Sequence, residues 1–299
     1  MGSRRQRGGV TQPIRWHQDD PALFAEAVRF TAARTGFPQR LIEKDYFCSV
    51  ILEHLAAASD ALVFKGGTCL AKVHTGFHRL SEDLDFSIPM PEAVGRAGRS
   101  KRIEPVRKVL AALPKAIPAF RVVEPFKGAN LSMQYNATLG YESAPAAPPE
   151  IIKIEIGLRE PVLAPTPSQS VRTALINPLT QKELVPPFPV PSLSFAEAMA
   201  EKIRAALCRR DAAIRDFFDI DHAVQDGGFD PGRQDVLDLV RRKIVVRGTG
   251  AVDVSDSRLA VLRRQVDAEL RPVVLPGTFE KFDLDRAFRM LQAIAEQLV

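Results

Sequence analysis

Asp83 and Asp85 stand two residues apart in the apolar segment DLDFSI. Residues i and i+2 of a strand share a face, so a strand here projects both carboxylates to one side while Leu84 and Phe86 face the other. Acids held that close repel each other, and folding tolerates them when a cation neutralises them or one takes up a proton. IIKIEIGL has the same logic: Ile152, Ile154, Ile156 and Leu158 form an apolar face, and Lys153, Glu155 and Gly157 the other. Asp83, Asp85 and Glu155 on neighbouring strands could together hold Mg²⁺, or Mn²⁺. Such ions clamp the phosphates of a nucleoside triphosphate (NTP) and activate an attacking hydroxyl.

Upstream, FKGGTCL reads as a strand, a glycine turn and a helix start. Gly66 and Gly67 permit unusual backbone angles and close approach by phosphate oxygens. The helix start offers unpaired N–H donors, with a hydroxyl from Thr68 and a cation from Lys65. Farther on, Asp216 and Asp219 lie i, i+3 on an expected helix and share a face. Lys202 lies on the preceding helix, near Arg204, Arg209 and Arg210. Taken alone, that set reads equally well as an ion-pair network between two helices. His74 and His78 have a metal-binding i, i+4 spacing but no matching cysteine or carboxylate, so packing is the expected role. The chain lacks GxxxxGK[ST], a strand-linked GxGxxG and HExxH, which removes the usual support for P-loop, Rossmann and zinc-protease chemistry.

These residues need elements to position them. A helix is expected from Asp20-Pro21 to Gly36 and another after Pro38, followed by a strand at 61–64, a helical CLAKVH and a strand at 83–88. A basic helix at 100–113 and strands at 121–124, 131–141 and 151–158 follow, with APAAPPE as a loop. Prolines between 161 and 191 suggest a boundary, after which Ser194 and Glu197 form a capping box and helices run to Val299. The expected class is α/β (α+β): a mixed sheet with flanking helices, then a helical C-terminal domain. The expected division is a flexible tail at 1–19, a core domain at 20–190 and a helical domain at 191–299, because 299 residues favour two domains over one. The net charge of +5 gathers in Arg204, Arg209, Arg210 and Arg215, in Arg241 to Arg247, and in Arg263 and Arg264. These are solvated helix faces or a polyanion surface. No apolar run reaches the roughly 20 residues of a membrane span, and the basic, glycine-rich start does not read as a secretory signal. Cys48, Cys69 and Cys208, odd in number and far apart, argue against disulfides or zinc and fit a reducing cytoplasm.

The order Gly-Gly-Thr turn, Asp-Leu-Asp strand, later strand with Glu resembles the polymerase-beta-like nucleotidyltransferase superfamily. FKGGTCLAKVHTGFHRLSEDLDFSI, together with EKDY at 43–46 and AEKIRAALCRRDAAIRDFFDIDHAV at 200–224, resembles the AbiEii/AbiGii toxin family, including MenT-type toxins. The resemblance implies a nucleotidyltransferase fold and transfer of a nucleoside monophosphate from an NTP to an acceptor hydroxyl. It also implies the toxin of a bacterial toxin–antitoxin system, with RNA, especially the 3′ end of tRNA, as acceptor and a cognate antitoxin as partner. By position it places Lys65, Gly66, Gly67 and Thr68 in the nucleotide-binding turn and makes Asp83 and Asp85 the metal pair. Lys202 becomes a triphosphate ligand, Asp216 part of the nucleotide site, and Asp219 a catalytic candidate that orients Lys202 or the acceptor. It further marks Ser81 as a hydroxyl that a kinase-like antitoxin could phosphorylate. One departure is the sixteen positions between Gly67 and Asp83, longer than in many superfamily members. Rival readings are a nucleotidyltransferase acting on a small molecule or a protein, a DxD glycosyltransferase, and an inactive RNA- or antitoxin-binding module.

Overall fold

The computed structural model describes residues 14–91, 94–142, 149–246 and 249–298. Its first helices form where their caps are written. α1 (Trp16–Asp19) is a single turn. α2 (Pro21–Thr35) begins at Asp20, whose carboxylate accepts the Leu23 N–H, and ends at Gly36 with φ at 84°. α3 (Gln39–Ala58) follows Pro38. Residues 14–19 are not the flexible tail expected. Ile14 is buried, and His17 packs among Phe24, Tyr46 and Phe47. The rest of that tail, 1–13, lies outside the described residues, as does most of the APAAPPE loop.

EKDY sits on α3 with all four side chains buried. Asp45 pairs with Lys72 at 2.6 Å and accepts the Ala174 N–H at 2.9 Å, while Lys44 reaches Glu82 at 2.8 Å. This segment joins distant parts of the chain.

The chain then forms β1 (Val63–Lys65), α4 (Gly66–Cys69) continuing as a π-helical turn at Leu70–Thr75, and β2 (Leu84–Ser87). α5 (Arg96–Ala116) buries Ile103, Val106, Leu110 and Leu113, one helical stripe. β3 (Phe120–Ala129), β4 (Gln134–Tyr141) and β5 (Glu150–Gly157) complete a five-stranded sheet ordered β1–β2–β5–β4–β3. β2 and β5 run parallel and the other pairs antiparallel. The parallel pair requires a crossover, which α5, β3 and β4 supply. β3 runs well past the expected end at 124. β4 starts later than expected because Asn130, Leu131 and Ser132 turn with φ of 50°, 56° and 65°, which no strand accommodates.

The proline-rich stretch forms a hairpin that the sequence did not announce, β6 (Ser168–Val171) against β7 (Phe188–Pro191). The chain then lies along β1, with the Leu193 N–H donating to the Phe64 carbonyl at 3.0 Å, and covers that edge. α6 (Phe195–Cys208) starts at Ser194, whose hydroxyl accepts the Glu197 N–H. Glu197 does not close the expected capping box. Its carboxylate instead accepts the Leu163 and Ala164 N–H groups at 2.8 Å each and pairs with buried Lys243 at 2.6 Å.

α7 (Ile214–Gln225), α8 (Gln234–Ile244), α9 (Asp256–Gln265), α10 (Pro276–Phe279) and α11 (Leu284–Leu298) follow. The apolar core is continuous from Ile14 to Ala295 and does not break near residue 190. Val63, Leu193 and Ala198 form a small second cluster where β1 meets α6.

Candidate active site

The sheet register places Lys65 opposite Asp85, Asp85 opposite Glu155, and Glu155 opposite Asn136. Directly opposed residues share a face, with neighbouring strands about 4.8 Å apart. The other face of the same strands is buried Phe64, Leu84, Phe86, Ile154 and Ile156. A polar row therefore crosses four strands with a packed core behind it. Burial and the adjacent Glu155 charge, opposed by Lys65, push the Asp85 carboxyl up to about 7. Asp83 is exposed at the mouth of β2, and its carbonyl accepts the Thr68 hydroxyl.

The glycines of the turn meet this row closely. Gly66 has φ of 76°, and a Cβ built on it would lie 2.1 Å from Asp85 Oδ2. A Cβ on Gly67 would lie 2.6 Å from Arg79 Nη2 and 3.1 Å from Ser81 Oγ. The turn is glycine because the Asp85 and Arg79 side chains occupy the space a Cβ would fill.

Asp219 on α7 is fully buried, and three groups converge on it. Arg79 donates from Nε at 2.6 Å and from Nη2 at 2.7 Å, His78 Nε2 lies at 2.8 Å, and Lys202 Nζ at 2.8 Å. Burial alone would raise the Asp219 carboxyl, but Arg79 and Lys202 outweigh it and hold it well below the usual carboxylate range. Lys202 also pairs with Asp216 at 2.7 Å, and these two acids outweigh burial to keep its ammonium protonated. His78 is pushed down to about 4 by burial, so its neutral ring donates to Asp219 and accepts from the Thr75 hydroxyl. His74 instead meets the Leu193 carbonyl, so the two histidines do not form a metal pair.

Between the polar row and α6 lies a cleft of about 470 Å³, lined by Lys65, Gly66, Gly67, Asp85, Glu155 and Lys202 among others. A larger hollow of about 560 Å³ beside His17, Phe24 and Phe120 contains none of the carboxylates or lysines assigned to chemistry. The cleft is the better candidate because charge and glycine turn converge there. Across it, Lys65 meets Glu160 at 2.8 Å and Glu201 at 3.3 Å. Lys65, Gly66, Gly67, Asp85, Glu155, Lys202 and Asp216 line this one space. Thr68, Asp83 and Asp219 support it from behind or beside.

Among the described residues no three acidic, imidazole or thiol groups are gathered into a ready coordination shell. The donor set nonetheless suits a hard divalent cation. It offers carboxylate oxygens, with Asp85 and Glu155 directly opposed on adjacent strands at the wall of the cleft.

Sequence reasoning missed Arg79, Glu160, Glu201 and Lys243. A buried arginine inside a loop has no periodic signature, and Glu160 lies just past the alternation of β5. Much of the basic excess is also spent internally. Arg204 pairs with Glu160, Arg209 with Asp216, Arg241 with Asp238 and Arg263 with Asp285.

The chain matches the model of a family described as nucleotidyl transferase AbiEii toxin, type IV toxin–antitoxin system, over residues 50–293. Its fold is similar to MenT4, a nucleotidyltransferase toxin from Mycobacterium tuberculosis H37Rv, at 19% identity and a TM-score of 0.54, covering 92% of this chain and 98% of that one. It is also similar to JHP933 from Helicobacter pylori, at 17% identity and a TM-score of 0.51, covering 88% and 93%. At such identities the likeness speaks for the fold alone. No curated protein sequence matches significantly. No helix among the described residues is long and apolar enough to cross a membrane.

Proposed function

The chain belongs to the AbiEii nucleotidyl transferase toxin family of type IV toxin–antitoxin systems, and from that premise we propose that it moves a nucleoside monophosphate from an NTP to an acceptor hydroxyl of RNA, at the 3′ end of tRNA, releasing pyrophosphate. The observation that carries this reading is the register Lys65–Asp85–Glu155 across the cleft from Lys202. Cations for a triphosphate and carboxylates for a divalent ion thereby face one space.

In this proposal Asp83, Asp85 and Glu155 would hold Mg²⁺ (Mn²⁺ would serve the same donors), which would supply positive charge for the attacking and leaving oxygens. Lys65 and the Gly66-Gly67 backbone cradle the phosphates, while buried Thr68 ties the turn to the Asp83 carbonyl from behind. Lys202 neutralises charge developing on the departing pyrophosphate. Asp216 and Asp219 hold the Lys202 ammonium in place. Asp219 is a positioning residue, because its buried carboxylate is already committed to Arg79, His78 and Lys202. A cognate antitoxin is the protein partner that the family implies.

The test is incubation with each of the four labelled NTPs, Mg²⁺ and total RNA. Label at the 3′ end of tRNA, absent for Asp85→Asn, is the expected result. Label that appears only on a small molecule or on protein would remove RNA as the acceptor, and no transfer from any NTP would remove the mechanism.

A further inference from the structure

Glu160 is the point where three cations of the cleft meet. Its Oε2 accepts from Lys65 Nζ at 2.8 Å, and its Oε1 accepts from Arg204 Nη2 at 2.8 Å and Arg159 Nη2 at 3.0 Å. The carboxylate is largely buried, and burial would raise it. Lys65 and Arg204 overcome that and keep it ionised. Two oxygens therefore serve three cations, and one donor is left over: the Nε–H of Arg204 is buried with no hydrogen-bond partner. Three cations and a spare buried donor around one small anion suit a group with more acceptor oxygens than a carboxylate has.

We infer that Lys65, Arg159 and Arg204 form a seat for one phosphate group of the bound triphosphate, and that Glu160 is its resident occupant, displaced when the substrate enters. The inference rests on the nucleotidyltransferase reading of the cleft and adds the residues that gate it. A phosphoryl group offers three oxygens, enough for each cation and for the idle Arg204 Nε–H. The seat adjoins the acidic row because Lys65 belongs to both: it stands opposite Asp85 in the sheet and bonds Glu160.

The occupant can leave without dismantling the seat. Lys65 keeps a second partner in Glu201, which Lys243 anchors at 2.9 Å. Glu160 lies beyond Gly157, where β5 ends, so no ladder hydrogen bond must break for it to move. A group of low charge competes poorly with an ionised carboxylate already hydrogen-bonded in place, whereas a triphosphate does not. Glu160 thus favours triphosphates over weaker anions.

The test is calorimetric titration of the full chain with inorganic tripolyphosphate and, separately, with a short RNA oligonucleotide bearing a 5′-hydroxyl. Removing the resident charge in Glu160→Gln is expected to tighten tripolyphosphate binding about tenfold or more and to leave the oligonucleotide unchanged. Tripolyphosphate binding that is unchanged or weaker in Glu160→Gln, while the wild-type chain still binds it, overturns the seat and leaves the nucleotidyltransferase reading standing. A gain confined to the oligonucleotide also overturns it, because the seat would then belong to an RNA phosphate. Failure of both proteins to bind either tripolyphosphate or any NTP removes the seat and the reading together. Should Glu160→Gln not fold, Arg204→Gln is expected to weaken tripolyphosphate about tenfold, and undiminished binding there overturns the proposal.

Discussion

Arg79 and Asp219 form a fork-to-fork ion pair, with donor distances of 2.6 and 2.7 Å, in which both side chains are almost wholly buried. It fastens the loop that leads into β2 to α7, whose Asp216 and Asp219 pair with Lys202 on α6. The two halves of the candidate site are registered to each other through this contact.

Arg79→Lys tests that link. Lysine keeps the charge but cannot offer the planar fork, and a poorly matched buried pair is expected to cost about 3 kcal/mol of stability. Urea unfolding measures it, and a midpoint equal to wild type would show that the fork is dispensable.

Gly66→Ala and Gly76→Ala separate backbone strain from crowding. Both glycines have positive φ, 76° and 65°, but a Cβ collides with Asp85 only at Gly66 and meets open space at Gly76. Each alanine is expected to cost about 1–2 kcal/mol in the left-handed region. Only Gly66→Ala is expected to lose transfer, by about 100-fold, since displaced catalytic geometry carries that penalty. Equal activity in the two variants, measured by nucleotide labelling, would contradict the crowding.

Asp85→Asn is expected to melt at a higher temperature than wild type in the absence of divalent ions while losing transfer altogether. The half-buried carboxylate has Glu155 and Asp83 as like-charged neighbours, and the amide relieves that repulsion. A variant that is less stable, or still active, would contradict this assignment.

His78 gives stability a pH dependence of known sign. Its ring is held at about 4 in the folded chain, below the 6.5 of an unstructured histidine. Between these values the unfolded chain binds the extra proton, so stability declines as pH falls from 6.5 toward 4, by up to about 3 kcal/mol. His78→Gln is expected to flatten that part of the profile in denaturant titrations at stepped pH. An unchanged slope would remove His78 as a source.

The strand acids and the glycine turn were legible because periodicity and turn chemistry are local. Asp85 and Glu155 alternate with apolar residues that must be buried, which leaves those carboxylates one side to occupy, whereas Asp83, expected on the same strand, lies just before β2 and is exposed. The chain-end packing of Ile14 and His17 was not legible, since it depends on a partner surface made by α2 and α3. Neither was Glu197, whose sequence neighbours suggested a cap while a distant loop and Lys243 claimed its carboxylate. Arg79 escaped notice for the same reason. Its role is defined by a residue 140 positions away.

The isoleucines at the back of β5 have a consequence for the front. Sliding this strand by one position would expose Ile154 or Ile156 to water and drive Glu155 into oil, so misalignment is penalised before any substrate arrives. Each fully buried isoleucine is worth roughly 1.5–3 kcal/mol. The spacing of Asp85 and Glu155 is thus enforced by hydrocarbon, and selection on core packing alone would keep them facing each other.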